Sequence, residues 1–300
     1  MAPPPSTLYT LSFFIAALAT VFVACTLRLI AILPNARSKT TPLRRKRPLA
    51  TRVLIVLGSG GHTHEMLHLL RDFDTAKYTH RTYVVSSGDA FSAQRAAQFE
   101  RELEEREKQK QRGVRVKSVI EDDGDVSKPT MQVTDVNGQT HILDTSKGGE
   151  SGPACTGPQH YDIAVVPRAR KIHQPLLTTP LSALYSLLAC FQPLLGAPIG
   201  HAPPTTPYEA AASDVPDLII TNGPATAVIV ILASLILRFF NVRGVDSRGK
   251  CKTIYVESFA RVKTLSLSGK ILLRVVDRFL VQWEELEGAG GRAEYCGVLV

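Results

Sequence analysis

The feature that most limits how this chain can fold is an uncharged N-terminal stretch. Residues 2–27 contain no Asp, Glu, Lys or Arg, and the run from Leu8 to Leu27 is almost entirely apolar. A helix of about 20 apolar residues is long enough to cross the hydrocarbon core of a bilayer. We therefore predict that residues 1–33 form a transmembrane anchor, separate from the globular part of the chain.

Basic residues follow this run directly. Eight of the 35 Lys and Arg residues lie within residues 1–52, and the remaining 27 are equal in number to the 27 Asp and Glu. The net charge of +8 therefore belongs to the anchor and to a basic linker at 34–52, and the body at 53–300 is neutral. Basic residues stay on the cytoplasmic side of an inserted helix, which predicts a single-pass protein with a cytosolic body. The alternative, a cleaved signal peptide, would carry its basic residues before a shorter apolar run.

Charge and cysteine content disfavour two classes of protein. A nucleic-acid-binding domain usually spreads positive charge over its folded surface, so the neutral body predicts no nucleic-acid partner. The five cysteines include no CxxC pair. Their number and spacing argue against a disulfide framework and fit a reducing compartment.

The body has the pattern of an α/β protein. Short apolar runs alternate with helical patterns, as in βαβ units that build a parallel sheet. We predict a Rossmann-like parallel sheet with helices on both faces. The predicted strands lie near 53–57, 82–85, 114–120, 163–166, 217–221, 252–256 and 279–281, and the predicted helices near 62–71, 90–111, 176–191 and 225–240.

Three further segments of the body need separate interpretation. Residues 121–160 and 193–216 are polar or proline-rich and lack periodicity, so we predict loose insertions in the domain. The helix predicted at 225–240 is uncharged as far as Leu237. A helix that is apolar on all sides is either buried or in contact with a membrane. Its length is too short to span a bilayer comfortably, which favours burial against the sheet.

A glycine-rich turn after the first predicted strand is the first candidate ligand site. In open parallel sheets, ligands bind beyond the carboxyl ends of the strands. Gly60, Gly61, His62 and Thr63 lie there, at the start of a helix. Glycines let the backbone approach a ligand closely, and the free N–H groups of a helix N-terminus favour a phosphate or diphosphate. His62 is also a candidate general base, because histidine exchanges protons near neutral pH.

Two more turns follow strands in the same way. Asn222 and Gly223 form a turn before the apolar helix, and Glu257 and Arg261 follow the strand near 252–256. The carboxylate and guanidinium of the latter pair either bind each other or bind sugar hydroxyls and phosphate. For all three turns, a role in packing alone is the alternative interpretation.

Other ligand classes fit the sequence less well. The dinucleotide fingerprint GxGxxG and the P-loop are both absent, which argues against a nicotinamide-dependent oxidoreductase and predicts no cofactor. His64 and His68 are four residues apart on one helix, but there is no HExxH motif and no clear third ligand. We therefore predict no metal site.

An ordered set of stretches covers nearly all of 53–300 outside the two insertions. These stretches are GSGGHTHEM (58–66), YVVSSGD (83–89), VPRARKIHQ (166–174), PDLIITNGPA (216–225), YVESFARVKTLSLSGK (255–270), DRFLVQWEEL (277–286) and AEYCGVLV (293–300). The set resembles the membrane-anchoring subunit of the two-subunit N-acetylglucosaminyltransferase of the dolichol pathway. It is also similar to the acceptor-binding half of bacterial lipid-linked GlcNAc transferases. Departures from the usual pattern are Ala225 for glycine, His64 for a small residue and Glu284 for proline.

The resemblance implies one half of a split GT-B glycosyltransferase at the endoplasmic reticulum membrane. The enzyme would add the second GlcNAc to GlcNAc-diphosphodolichol, with inversion at the sugar. This chain would bind the lipid-linked acceptor and be inactive alone, while a cytosolic catalytic subunit would bind UDP-GlcNAc. The preceding GlcNAc-phosphate transferase and the following mannosyltransferase are further partners that the resemblance suggests.

One further hypothesis is a pure membrane scaffold that recruits an active partner and contacts no substrate, although the glycine-rich turns argue against it.

The resemblance also implies roles for individual residues. His62 would be the candidate catalytic residue. Acceptor binding is expected at Gly60, Gly61, His62, Thr63, Asn222, Gly223, Glu257 and Arg261, and partner binding at Tyr295, Gly297, Val298, Leu299 and Val300.

Overall fold

The computed structural model describes residues 7–34, 50–120, 131–134, 140–143, 155–169, 174–175, 178–196, 206–223 and 225–299. Its helices are α1 (Thr7–Ile32), α2 (Gly61–Leu69), α3 (Ala90–Ile120), α4 (Thr179–Leu195), α5 (Pro207–Ser213), α6 (Thr226–Phe239) and α7 (Leu267–Leu272). Its strands are β1 (Arg52–Val56), β2 (His80–Ser86), β3 (Met131–Thr134), β4 (Thr140–Leu143), β5 (Tyr161–Val166), β6 (Leu218–Asn222), β7 (Lys252–Val256), β8 (Arg278–Val281) and β9 (Ala293–Tyr295).

Seven strands form one parallel sheet in the order β5-β2-β1-β6-β7-β8-β9. The chain begins in the middle at β1, moves outward through β2 to β5, and returns to β6 on the other side of β1. Strand order therefore reverses between β1 and β6. In open α/β sheets this reversal creates a crevice at the carboxyl ends of the two strands, where ligands bind.

Both faces of the sheet are covered, which confirms the predicted fold class. Val53, Ile55 and Leu57 of the β1 segment are buried on the face that α2 and α3 cover. Leu54 and Val56 are buried on the opposite face, with residues of α4 and α6. Successive side chains of a strand point to opposite faces, so the continuous apolar run of β1 supplies both cores.

The N-terminal helix agrees with the predicted anchor in length and composition. Tyr9–Ile32 is a 24-residue stretch that is long and apolar enough to cross a membrane, and only 6% of its most apolar window is buried. At 1.5 Å per residue it extends over roughly 36 Å, against about 30 Å for a hydrocarbon core.

The last turn of α1 is fixed to the end of α6. Arg28 donates hydrogen bonds to the carbonyl oxygens of Phe239 and Arg238, at 3.0 and 2.7 Å, and pairs with Asp246 at 3.0 Å. Arg238 donates in return to the carbonyl of Ile32 at 2.8 Å. Each guanidinium thus satisfies carbonyl groups at the C-terminal end of the other helix, where cations are favoured.

Helix α6 is largely buried within the protein. Most of its residues are buried, including Ile229, Val230 and Leu237. This agrees with the prediction from the sequence, in which the short length of the helix favoured burial against the sheet. The outward face of α4 is instead apolar and exposed, through Leu181, Leu184, Tyr185 and Leu188.

The strand predicted at 114–120 is wrong, because α3 continues as a helix to Ile120. Its alternating valines have the period of a strand, but a helix that has already nucleated gains one hydrogen bond for each residue added. The position beside β2 that this strand would have taken is filled by β5.

Four short elements were missed by the sequence patterns. The antiparallel strands β3 and β4 lie within 121–160, and α5 lies within 193–216. The capping box of Thr206 and Glu209 begins α5. Strand β9 has only three residues and is defined by its pairing with β8. Much of both predicted insertions lies outside the described residues.

Candidate functional site

The three predicted turns meet at the carboxyl edge of the sheet, beside the reversal of strand order. They contribute to one cavity of about 300 Å³. The cavity is lined by His62, Gly223, Tyr255, Glu257, Ser258, Ala260, Arg261, Ser266 and Ser268.

The turn after β1 is shaped around the ring of His62. Gly60 has φ +63°, which allows the chain to turn into α2. A Cβ on Gly58 would lie 2.6 Å from Cβ of His62, and one on Gly223 would lie 2.9 Å from Cγ of the same residue. Glycine at these two positions therefore leaves room for the imidazole. Gly61 begins α2 and faces open space.

A carboxylate lies next to the imidazole on the same helix. The Oε2 atom of Glu65 is 3.5 Å from Nδ1 of His62, and both atoms are buried without a hydrogen-bond partner. The other carboxylate oxygen, Oε1, accepts a hydrogen bond from Oγ of Ser258 at 3.0 Å. The side-chain amide of Asn222 donates to the backbone carbonyl of His62 at 2.8 Å. The turns after β1, β6 and β7 are thus joined through His62 and Glu65.

Glu65 remains ionised in this position. Burial alone would raise its pKa, but contacts with the side chains of His62 and Ser258 outweigh burial and lower the pKa below its ordinary value. An ionised carboxylate can only accept hydrogen bonds, so it favours a proton on the facing nitrogen of His62.

Thr63 lies beneath the turn rather than in the cavity. Its side chain is fully buried and donates a hydrogen bond to the carbonyl of Gly58. Its hydroxyl is also 2.7 Å from that of Ser92, which donates to Asp89 at 2.7 Å. These contacts stabilise the turn after β1.

Glu257 and Arg261 have different environments. From the sequence, the two side chains were expected either to pair with each other or to bind a ligand. The carboxylate of Glu257 is buried and accepts hydrogen bonds from the amide and hydroxyl of Ser266, both at 3.1 Å. Gly269 packs against it, since a Cβ there would lie 2.1 Å from Oε2 of Glu257. Within the part of the chain that the structure describes, no ion pair joins Glu257 to Arg261. Arg261 is exposed and lines the cavity, and Glu257 does not neutralise its guanidinium.

Several residues of the site were not singled out from the sequence. Ser258, Ser266 and Ser268 bring hydroxyl groups to the cavity, and burial raises the pKa of the Tyr255 hydroxyl above its ordinary value. Glu65 had a detectable signal, because it lies one helical turn after His62. The serines had none, since their approach depends on how the loop after β7 folds back.

The predicted partner-binding segment lies at the edge strand of the sheet. Tyr295 ends β9, and the amide of Leu299 donates to the side chain of Gln282 at 3.2 Å. Val298 is 54% exposed, and Gly297 has φ +82°. Val300 lies outside the described residues. An edge strand presents unpaired backbone groups that another chain can bind.

The fold and the cavity together define a class of protein. The chain is a Rossmann-like α/β protein with a candidate ligand site where strand order reverses, and with one N-terminal helix long enough to span a membrane. It belongs to the family described as oligosaccharide biosynthesis protein Alg14 like, whose model matches residues 53–134 and 140–299. This confirms the resemblance found in the sequence.

Named relatives extend the similarity over most of the chain. A protein of Aspergillus fumigatus named UDP-N-acetylglucosamine transferase subunit alg14 is 38% identical over 268 residues, which cover 78% of this chain and 100% of the relative. The Schizosaccharomyces pombe protein of the same name is 34% identical, over 85% of this chain and 86% of the relative. The human protein named UDP-N-acetylglucosamine transferase subunit ALG14 is 29% identical, over 83% and 82%. No solved structure matches the chain significantly.

Proposed function

We propose that this chain is the membrane-anchoring and acceptor-binding subunit of the UDP-GlcNAc transferase that adds the second GlcNAc to GlcNAc-diphosphodolichol. The observation that carries this proposal is the convergence of His62, Gly223 and Arg261 on one cavity at the carboxyl edge of the sheet. The relatives named as UDP-N-acetylglucosamine transferase subunits support the reaction class.

The cavity has the groups that a sugar diphosphate requires. The guanidinium of Arg261 suits a diphosphate oxygen, and the N–H groups at the start of α2 favour negative charge. The hydroxyl groups of Ser258, Ser266 and Ser268 suit the hydroxyls of a sugar. Gly60, Gly61, Asn222 and Gly223 shape the backbone around the bound acceptor, while Thr63 and Glu257 support the turns from within.

The reaction forms a glycosidic bond and needs a base. A hydroxyl oxygen of the acceptor GlcNAc attacks the anomeric carbon of UDP-GlcNAc, and the bond from that carbon to the β-phosphate oxygen breaks. The electron pair leaves with UDP, and in-line attack inverts the anomeric centre. His62 accepts the hydroxyl proton as it is released. UDP-GlcNAc is held by a separate subunit, so this chain is inactive alone.

The anchor places this chemistry at the endoplasmic reticulum membrane. Residues 1–33 span the bilayer once, the basic linker at 34–52 stays on the cytosolic side, and the body at 53–300 faces the cytosol. The tail from Tyr295 to Val300 recruits the cytosolic catalytic subunit to the edge strand.

The test is transfer of GlcNAc in membranes that contain the full chain, with and without a co-expressed cytosolic partner. Chitobiosyl lipid is expected only with both chains. Arg261→Ala should raise the KM for the lipid acceptor about ten- to hundredfold, the range for losing a charged hydrogen bond. The exposed Arg274→Ala serves as the matched control. Transfer by this chain alone, or an unchanged KM in Arg261→Ala, would contradict the proposal.

A pure scaffold is the second candidate function. It is favoured by the hydrogen bonds that Thr63 and Glu257, two residues predicted to bind the acceptor, make to their own turns. Thr63 donates to the carbonyl of Gly58, and Glu257 accepts from the amide of Ser266. In that case His62→Ala and Arg261→Ala would both leave transfer unchanged. Loss of residues 298–300 would abolish recruitment under either function, so the cavity variants distinguish the two.

A further inference from the structure

We propose that Glu65 is a positioning residue that orients the imidazole of His62 and stabilises its protonated form during transfer. This inference rests on the proposed function, because it assigns a role within the same site. Glu65 does not line the cavity, and it acts through His62.

The first support is the arrangement of buried atoms. Oε2 of Glu65 and Nδ1 of His62 are 3.5 Å apart, and both atoms are buried without a hydrogen-bond partner. A buried carboxylate oxygen and a buried ring nitrogen without partners are costly unless they serve each other. Oε1 is already held by Ser258 at 3.0 Å, so Oε2 is the oxygen left for the histidine.

The second support is the confinement of the ring. Gly58 and Gly223 approach the imidazole so closely that neither could carry a Cβ without displacing it. Asn222 fixes the backbone carbonyl of the same residue at 2.8 Å. The ring therefore keeps Nδ1 toward Glu65, which leaves Nε2 as the nitrogen that can serve the cavity.

The pairing determines which nitrogen carries the proton. An ionised carboxylate accepts but cannot donate, so the imidazole proton resides on Nδ1 and the lone pair on Nε2. During transfer, Nε2 takes the proton of the acceptor hydroxyl as its oxygen bonds to the anomeric carbon. The resulting imidazolium lies beside the negative charge of Glu65, and afterwards it releases the proton to solvent.

The alternative is a purely structural carboxylate. Glu65 joins α2 to the loop after β7 through Ser258, and this bridge alone would contribute to stability. A structural role predicts that substitution lowers stability and affects transfer independently of His62. A positioning role predicts that substitution has no further effect once His62 is absent.

The experiment is a double-mutant cycle in the full chain, co-expressed with its catalytic partner. Glu65→Gln keeps the size of the side chain but presents an amide that can donate to Nδ1, which would move the imidazole proton to Nε2 and block the base. His62→Ala, the double variant and Ser258→Ala complete the set. Asp72→Asn, whose side chain is 88% exposed, is the matched control for removing a carboxylate. The measurements are kcat, the KM for the lipid acceptor, and the midpoint of urea unfolding.

We expect Glu65→Gln to lower kcat about a hundredfold with little change in KM, since base catalysis contributes roughly 10²–10⁴-fold. The double variant should be no slower than His62→Ala alone. Ser258→Ala, which frees Oε1, should lower kcat by a smaller factor and covers the case in which Glu65→Gln fails to fold.

Two results would overturn the role of Glu65 while the proposed function stands. One is an active wild type with unchanged kcat in both Glu65→Gln and Ser258→Ala. The other is a double variant whose loss is the product of the two single losses. Absence of chitobiosyl lipid from the wild type with its partner would instead refute the proposed function, and the role of Glu65 with it.

Discussion

Gly223 shows how one backbone position controls the candidate site. It has φ +77°, a left-handed conformation that other residues adopt only at a cost. A Cβ at this position would also lie 2.9 Å from Cγ of the His62 imidazole. Glycine is therefore favoured at this position for two reasons. It allows the backbone conformation of the turn after β6, and it leaves room for the ring of His62, the candidate base.

Gly223→Ala is expected to reduce transfer by more than its effect on stability explains. The left-handed backbone costs about 1–2 kcal/mol for alanine, and the new methyl group displaces the ring of His62. Gly291→Ala is the matched control, because Gly291 has φ +75° and open space around its Cα. Gly223→Ala should lose somewhat more free energy of unfolding than Gly291→Ala, because of the added contact with His62, and only Gly223→Ala should lose transfer activity. Equal activity in the two variants would contradict the expected displacement.

At the scale of elements, α3 is fixed to β2 by a buried charge cluster. Arg81 donates to both carboxylate oxygens of Glu100, at 2.6 and 2.8 Å, and the hydroxyl of Tyr83 donates to the same group at 2.7 Å. Burial alone would lower the pKa of Arg81, but the bonds to Glu100 outweigh it and raise that pKa. The cluster joins α3 to β2, beside the apolar packing of Phe99 and Leu103 on the same face.

Glu100→Gln is expected to destabilise the chain by about 3–5 kcal/mol, because it leaves the guanidinium of Arg81 buried without a counter-charge. Glu102→Gln on the same helix is the control, since its side chain is 45% exposed and its ion pair with Arg106 is worth little. Urea unfolding of the full chain in detergent micelles measures both. Equal midpoints for the two variants would show that the cluster adds no stability.

The elements differ in how well sequence predicted them. Strands β1, β2, β5, β6, β7 and β8 were predicted because each is an apolar run between polar turns. The alternating valines of 114–120 gave a strand signal, yet the helix that precedes them continues through Ile120. Strand β9 gave no local signal, because three residues form a strand only when a neighbour provides the hydrogen bonds.

At the scale of the whole molecule, the body is joined to its anchor by the contacts of Arg28 and Arg238. Neither residue belongs to the candidate site. Their hydrogen bonds connect the end of the membrane-spanning candidate to the helix that begins at the turn of Gly223. The position of the cavity relative to α1 is therefore set partly by α6.

Deletion of residues 1–27 is expected to release the chain from membranes and to keep its fold. The deletion removes the exposed apolar part of α1 but retains Arg28 and Ile32, so the contacts with α6 remain available. Carbonate extraction followed by sedimentation measures the distribution. A control chain with residues 8–27 replaced by an unrelated apolar helix should stay in the membrane fraction. A deleted chain that also stays there would show that the body binds membranes without the anchor.

The sequence by itself determined the apolar anchor, the neutral body, the α/β class and the family. The first three follow from composition and periodicity in local windows of the chain. The family follows from the resemblance of an ordered set of motifs. Only the tertiary structure decided that Ser258 binds Glu65 and that Asn222 binds the backbone carbonyl of His62. Such relations join residues up to about 190 positions apart, as in Ser258 with Glu65. They follow from sheet order and loop packing, which bring together side chains that no local pattern relates.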